Sequence, residues 1–126
     1  MSKEIIKVNG AVAAVGPYNQ VTQACGLYFF AGQIPIDPKT GEMVAGGIVE
    51  QTRQVLSNIA VLLQGIGKTK KDVVRCLVFL TDLALFGEMN KIYAEFFGSD
   101  FPARSTIQVA ALPKGALVEI EATVAE

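Results

Sequence analysis

The run from Val73 to Leu80, Val-Val-Arg-Cys-Leu-Val-Phe-Leu, constrains the fold more than any other stretch of the chain. A strand sends successive side chains to opposite faces, and only Arg75 breaks the apolar character of this run on either parity. Such a segment predicts a central strand buried on both faces, and Leu27 to Phe30 reads the same way. Two helices are available to cover it. Ile48, Thr52, Val55, Leu56, Ile59, Leu62, Leu63 and Ile66 recur at offsets of three and four, a helix preceded by Gly46-Gly47 and stopped by Gly65 and Gly67. A second helix, capped by Asp82 and ended by Gly98, carries Phe86, Met89, Tyr93, Phe96 and Phe97 as a core stripe. Two helices cover one face of a sheet, and 126 residues leave no chain for the other. Large exposed apolar patches are rare on monomers, so a second copy of the same chain is expected to cover the remaining face.

The other strands are short. Ile5, Ile6 and Val8 suggest the first; Val21 to Ala31, interrupted by Gly26, gives two more; Ser105 to Ala110 and Leu117 to Val124 alternate cleanly and complete the set. The order β-β-β-α-β-α-β-β predicts one α+β domain over residues 1–126: a mixed five- or six-stranded sheet with both helices on one face. Asp37-Pro38-Lys39-Thr40-Gly41 marks a turn, and Gly16-Pro17-Tyr18-Asn19-Gln20 is a loop that presents the Tyr18 hydroxyl beside a rigid proline.

The absence of histidine removes Ser-His-Asp triads, Cys-His dyads and His-based zinc sites, so no metal is expected. Eleven basic against twelve acidic residues give a net charge of -1, without the positive field that sequence-independent nucleic-acid binding uses, so a nucleic-acid partner is not expected. Cys25 and Cys76 form no C-x-x-C motif and read as buried thiols. The stretch Met1-Ser2-Lys3-Glu4 leads into no apolar leader core, and no 18-residue apolar run follows, so a cytoplasmic protein without membrane association is expected, an organelle remaining open. Neither G-x-x-x-x-G-K-[ST] nor G-x-G-x-x-G occurs.

Strand parity sorts the polar residues that remain. Arg104, Thr106 and Gln108 share one face of their strand; Glu119, Glu121 and Thr123 share one face of the last, opposite Val118, Ile120 and Val124. Arg104, at a strand start shortly after Pro102, offers a fixed guanidinium able to grip a carboxylate bidentately. The alternative is a structural bridge from Arg104 to Glu119 or Glu121. A glutamate near a held arginine can also orient a water. Two carboxylates two residues apart on one strand do not make a glycosidase pair.

Gly16-Pro17-Tyr18, Ala31-Gly32-Gln33-Ile34-Pro35, Asp37-Pro38-Lys39-Thr40-Gly41, Pro102-Ala103-Arg104-Ser105 and Leu112-Pro113 through Val118-Glu119-Ile120-Glu121 occur in an order that resembles the Rid family, the reactive intermediate deaminases, also called YjgF-like or L-PSP endoribonuclease proteins. The resemblance runs along essentially the whole chain. It implies a chorismate-mutase-like α+β fold, a homotrimer with clefts between subunits, and hydrolysis of small 2-imino acids such as 2-iminobutanoate and 2-iminopropanoate to 2-keto acids and ammonia, with no metal or cofactor. By motif, Arg104 would hold the substrate carboxylate and Glu119 would position or activate the attacking water. Tyr18, Asn90, Ala31, Gly32 and Thr106 would line the pocket. An iminium carbon is already electrophilic, so positioning and one water-orienting group suffice.

Two positions depart from the family pattern. Ala31 stands where a serine is frequent and forgoes one hydrogen bond, about 0.5–1.5 kcal/mol. Thr106 stands where a cysteine is frequent; it keeps a small polar group and removes an oxidisable thiol. A chorismate mutase, which shares the fold, would favour more basic side chains than Arg104 alone. RNA cleavage is disfavoured by the lack of histidine and the net charge. The reading from a different class is a non-catalytic trimer that senses carboxylate ligands or binds proteins, to which Ala31 gives substance.

Overall fold

The computed structural model describes residues 2–126, and Met1 of the stretch read for a leader lies outside them. The elements run β1 (Glu4–Ile6), β2 (Val21–Ala24), β3 (Leu27–Gln33), α1 (Ile48–Gly65), β4 (Val73–Leu80), α2 (Phe86–Phe97), β5 (Ala103–Gln108) and β6 (Val118–Ala125). The expected order is therefore present, with β5 beginning two residues before the first of its alternating positions. One six-stranded sheet has the order β1-β2-β3-β6-β4-β5. Only β4 and β5 pair in parallel, because α2 is the crossover between them; every other pair is antiparallel.

Alternation decides which side chains the helices cover. Cys76, Val78 and Leu80 of β4 lie beside Ala122, Ile120 and Val118 of β6, and all six are buried. With Val21, Phe30 and Val124 they meet Val55, Leu56, Ile59 and Leu62 of α1 and Met89, Ile92, Tyr93 and Phe97 of α2 in a single core. Both helices thus lie on one face. No helix among the described residues is long and apolar enough to cross a membrane.

The opposite parity of β4 is not buried within the protomer, so both helices cover one face only and the other is left for the second copy expected above. Leu77 and Phe79 are half-buried, and Val74, the extra residue of a bulge between Val73 and Arg75, is 44% exposed. Phe29, Ile107 and Ile5 are likewise exposed. The physical reason is the one foreseen for the far side: no layer of this chain reaches it.

Local chemistry moves several boundaries. Gly65 lies inside the last turn of α1 instead of stopping it, since a methyl there would come within 3.1 Å of Val8 Cβ; the left-handed Gly67, φ 70°, ends the helix. Asp82 caps the 3-10 turn Leu83–Leu85, its Oδ1 accepting from the Ala84 N–H at 2.9 Å, and α2 begins only at Phe86. Phe86 is 38% exposed and Phe96 only partly buried, so the core stripe of α2 is Met89, Ile92, Tyr93 and Phe97. Cys76 is buried as expected. Cys25 is exposed, because with Gly26 it forms the left-handed tip of the β2–β3 hairpin, φ 54° and 76°.

Candidate functional site

Arg104 sits on the sheet-edge strand β5. The parallel register sets it beside Cys76 and sets Thr106 beside Val78, which directs both toward the helices. The guanidinium lies over the Tyr93 ring at 4.7 Å and over the Phe86 ring at 5.5 Å. Asn90, Tyr93 and Ala94 of α2, with Phe101, Pro102 and Arg104, line an open cleft of about 410 Å³. The one salt bridge among the described residues joins Arg53 and Glu95 at 3.6 Å, so no carboxylate of the protomer neutralises Arg104. An arginine stacked on rings and lacking a counter-ion keeps its fork for an external carboxylate.

Two polar groups on this side of the sheet are under-satisfied. Thr106 Oγ1 and the Tyr93 hydroxyl are buried with no hydrogen-bond partner among the described residues. The weakly polar Cys76 thiol lies beside the tyrosine; burial pushes both the Tyr93 hydroxyl and the Cys76 thiol upward, so each stays neutral in ordinary buffers.

Glu119 occupies the other face. It stands beside Phe79 near the middle of the sheet, with Glu121 beside Leu77. On its far flank β3 carries a bulge: between the pairs Phe30–Ala122 and Gln33–Ile120, Ala31 and Gly32 together oppose Glu121 alone. A methyl built on Gly32 would run into the Glu119 carboxyl group, 2.8 Å from its Cδ, so glycine is what allows that side chain to lie over β3. Burial, and after it the Glu121 charge, hold the half-buried Glu119 carboxyl above the usual carboxylate value.

Side-chain amides brace this region. Buried Gln33 donates through Nε2 to Gln20 Oε1 at 2.7 Å and to the Ala31 carbonyl at 3.0 Å, while Gln20 Nε2 donates to the Val12 carbonyl at 2.8 Å. Ala31 N–H donates to the Gln20 carbonyl at 2.9 Å. Tyr18, 43% exposed, stands in the loop just ahead of these residues and lines a cavity with Val12, Asn19 and Gln20 that neither Arg104 nor Glu119 lines. On α1, Asn58 Nδ2 donates to the Ile34 and Ile36 carbonyls at 3.2 and 2.9 Å, and Gln51 Oε1 accepts from the Leu117 N–H at 2.8 Å. Gln51 and Asn58 flank the apolar stripe of α1 seven residues apart, a signal that apolar periodicity alone passes over.

The structure therefore gathers Arg104, Asn90 and Thr106 on the helix side and Glu119, Gly32 and Ala31 on the open side. Cys76 neighbours Arg104 on one flank and Ala122 on the other, so Arg104 shares its face with Ala122 and not with Glu119 or Glu121. No Arg104–glutamate bridge forms among the described residues, and the two lie on opposite faces of the protomer's sheet. Parity within each strand is legible in sequence; the relation between strands depends on register.

The family model for endoribonuclease L-PSP matches residues 8–126. A RutC family protein of Pyrococcus horikoshii is 50% identical over 120 residues, covering 95% of each chain. The 2-iminobutanoate/2-iminopropanoate deaminase of Mus musculus is 42% identical over 120 residues, covering 95% of this chain and 89% of the mouse protein. The crystal structure of Escherichia coli TdcF with bound serine superposes with a TM-score of 0.92 at 37% identity, covering 98% of both chains.

Proposed function

The chain belongs to the Rid family, also known as endoribonuclease L-PSP, and from that premise we propose that it hydrolyses small 2-imino acids to 2-keto acids and ammonia at sites shared between the copies of a homotrimer. The observation that carries the reading is Arg104: a cation without a protein counter-ion, stacked in an open cleft beside Asn90. The mouse deaminase acts on substrates that carry such a carboxylate, and TdcF holds serine, which carries one too.

The fork of Arg104 takes the substrate carboxylate, which fixes C2 at a set distance from the guanidinium. Glu119 of a neighbouring copy accepts a proton from a water as that water's oxygen bonds to C2 of the iminium, giving a carbinolamine. Glu119 then returns the proton to nitrogen; as the C–N bond breaks, the carbinolamine hydroxyl gives its proton to Glu119, which passes it to the departing ammonia, so that iminium plus water balances 2-keto acid plus ammonium. A carboxylate held above its usual value is a stronger base toward water in the first step than an ordinary glutamate. Asn90 and Thr106 stand beside the grip, and Ala31 and Gly32 beside the base. Assembly is needed because Arg104 and Glu119 lie on opposite faces of one sheet, and because the open face exposes Phe29, Val74 and Ile107.

Ala31 supports a second reading, a trimer that binds keto or imino acids without turnover, since its position provides no hydroxyl and its N–H is committed to Gln20. One experiment separates the readings. Arg104→Ala and Glu119→Gln are each expected to be inactive on 2-iminobutanoate generated in situ. After the two variants are unfolded together and reassembled in equal amounts, about one quarter of all sites regain both residues if the two come from different copies, and none if they come from one. A parent that binds 2-ketobutyrate yet never exceeds the background rate establishes the sensor.

A further inference from the structure

Arg104 has no carboxylate to direct it, yet its direction is set by what lies beneath. The Tyr93 ring under the guanidinium is 3% exposed and meets the Phe97 ring at 4.8 Å with planes inclined by 50°. Phe97 meets Phe96 edge-on at 5.0 Å and 87°, and Lys70 Nζ lies 4.1 Å over the Phe96 ring while donating to the Phe96 carbonyl at 2.9 Å. Three rings of α2 thus form a column with a cation at each end. Offset and edge-on rings in a close-packed interior do not turn independently. The Tyr93 hydroxyl has only the Cys76 thiol beside it and stays neutral, so the part of Tyr93 that faces Arg104 is its ring.

We propose that Tyr93 is a positioning residue for the carboxylate grip: its ring holds the Arg104 guanidinium flat, with its N–H fork in the cleft beside Asn90 and Phe86 as a second wall. An arginine side chain has several rotatable bonds, and binding through an unsupported one costs the entropy of ordering it. The column removes that cost before ligand arrives. This inference rests on the reading of Arg104 as the carboxylate site.

The test compares Tyr93→Met, which fills the volume without a ring, with Tyr93→Phe, which keeps the ring and drops the hydroxyl. Tyr93→Met is expected to raise KM for 2-iminobutanoate and Kd for 2-ketobutyrate about tenfold with kcat within about twofold, whereas Tyr93→Phe stays at parent values. In an Arg104→Ala background the Tyr93→Met change is expected to have no further effect on ligand binding, the signature of direct coupling. The Arg104 Nε–H proton resonance supplies a readout that needs no ligand: shifted upfield by the ring in the parent and in Tyr93→Phe, and returned to the ordinary position in Tyr93→Met. Should Tyr93→Met not fold, Phe97→Leu loosens the column one ring away and is expected to raise KM about threefold at constant kcat. Keto-acid binding by Tyr93→Met as tight as the parent's, alongside a ring-shifted parent resonance, makes Tyr93 a core filler and overturns the proposal. A shifted resonance in a parent that neither binds the keto acid nor hydrolyses the imine instead overturns the carboxylate site, and this inference with it.

Discussion

The two faces of the sheet are built from the same eight-residue strand and differ in what covers them. On one, Cys76, Val78 and Leu80 disappear beneath two helices; on the other, Leu77 and Phe79 remain half-open among Glu119, Glu121 and Thr123. The covered face holds the fold together and carries Arg104 at its rim. The open face carries Glu119, a half-buried carboxyl group held above its usual value, set against apolar neighbours that the protomer leaves in water. Stability and chemistry are thus divided by strand parity, and the residue proposed to bind and the residue proposed to react fall on different sides of that division.

The largest effects are expected where the division is attacked directly. Phe79→Asp places a charge at the middle of the open face; it is expected to leave the helix-covered core folded, dissociate the assembly and abolish imine hydrolysis, all visible by sedimentation and assay together. A trimer that survives Phe79→Asp with full activity breaks the comparison. Glu119→Gln keeps shape and removes the proton acceptor, with an expected fall in kcat of about 10²–10⁴ while 2-ketobutyrate still binds in calorimetry. On the covered face, Ile59→Ala is expected to cost about 2–5 kcal/mol in denaturant titrations and to leave KM unchanged where the protein remains folded.

Smaller changes sharpen the picture of the open face. Gly32→Ala pushes the Glu119 carboxyl group aside, and about a tenfold loss of kcat is expected with little change in melting temperature, because the displaced atoms belong to the end of a flexible side chain. Glu121→Gln removes one of the two causes that raise Glu119. The acid limb of the kcat/KM profile, which follows ionisation of Glu119, is then expected to move to lower pH. Stability carries the opposite dependence. A carboxyl group raised by burial stabilises the fold at low pH, and that contribution is lost as pH rises through its raised value, so the parent's melting temperature should fall across that window more than that of Glu119→Gln.

Much of this was legible along the chain. The α1 periodicity from Ile48, the β6 alternation from Val118 and the turn at Asp37, whose carbonyl accepts from Gly41 N–H at 2.8 Å, are local patterns, and local patterns survive folding. The family motifs marked Arg104, Asn90, Glu119 and Gly32 without saying how they stand to one another. That relation depends on Cys76 lying between Arg104 and Ala122, on the bulge at Ala31–Gly32 and on the extra residue at Val74, none of which has a signature within one strand. Tyr93 and Phe86 read equally as core, because hydrophobic periodicity cannot distinguish a ring facing a leucine from a ring facing a guanidinium.

The placement of Arg104 and Glu119 back to back has a consequence for how the protein behaves in a cell. If the two act together across copies as proposed, a lone copy carries Arg104 and Glu119 with no complete site, so output per molecule depends on how many molecules are present. At abundances well above the dissociation constant of the assembly the rate rises in proportion to protein. Below it the rate falls more steeply than first order, so a modest reduction in expression silences the activity further than the reduction itself.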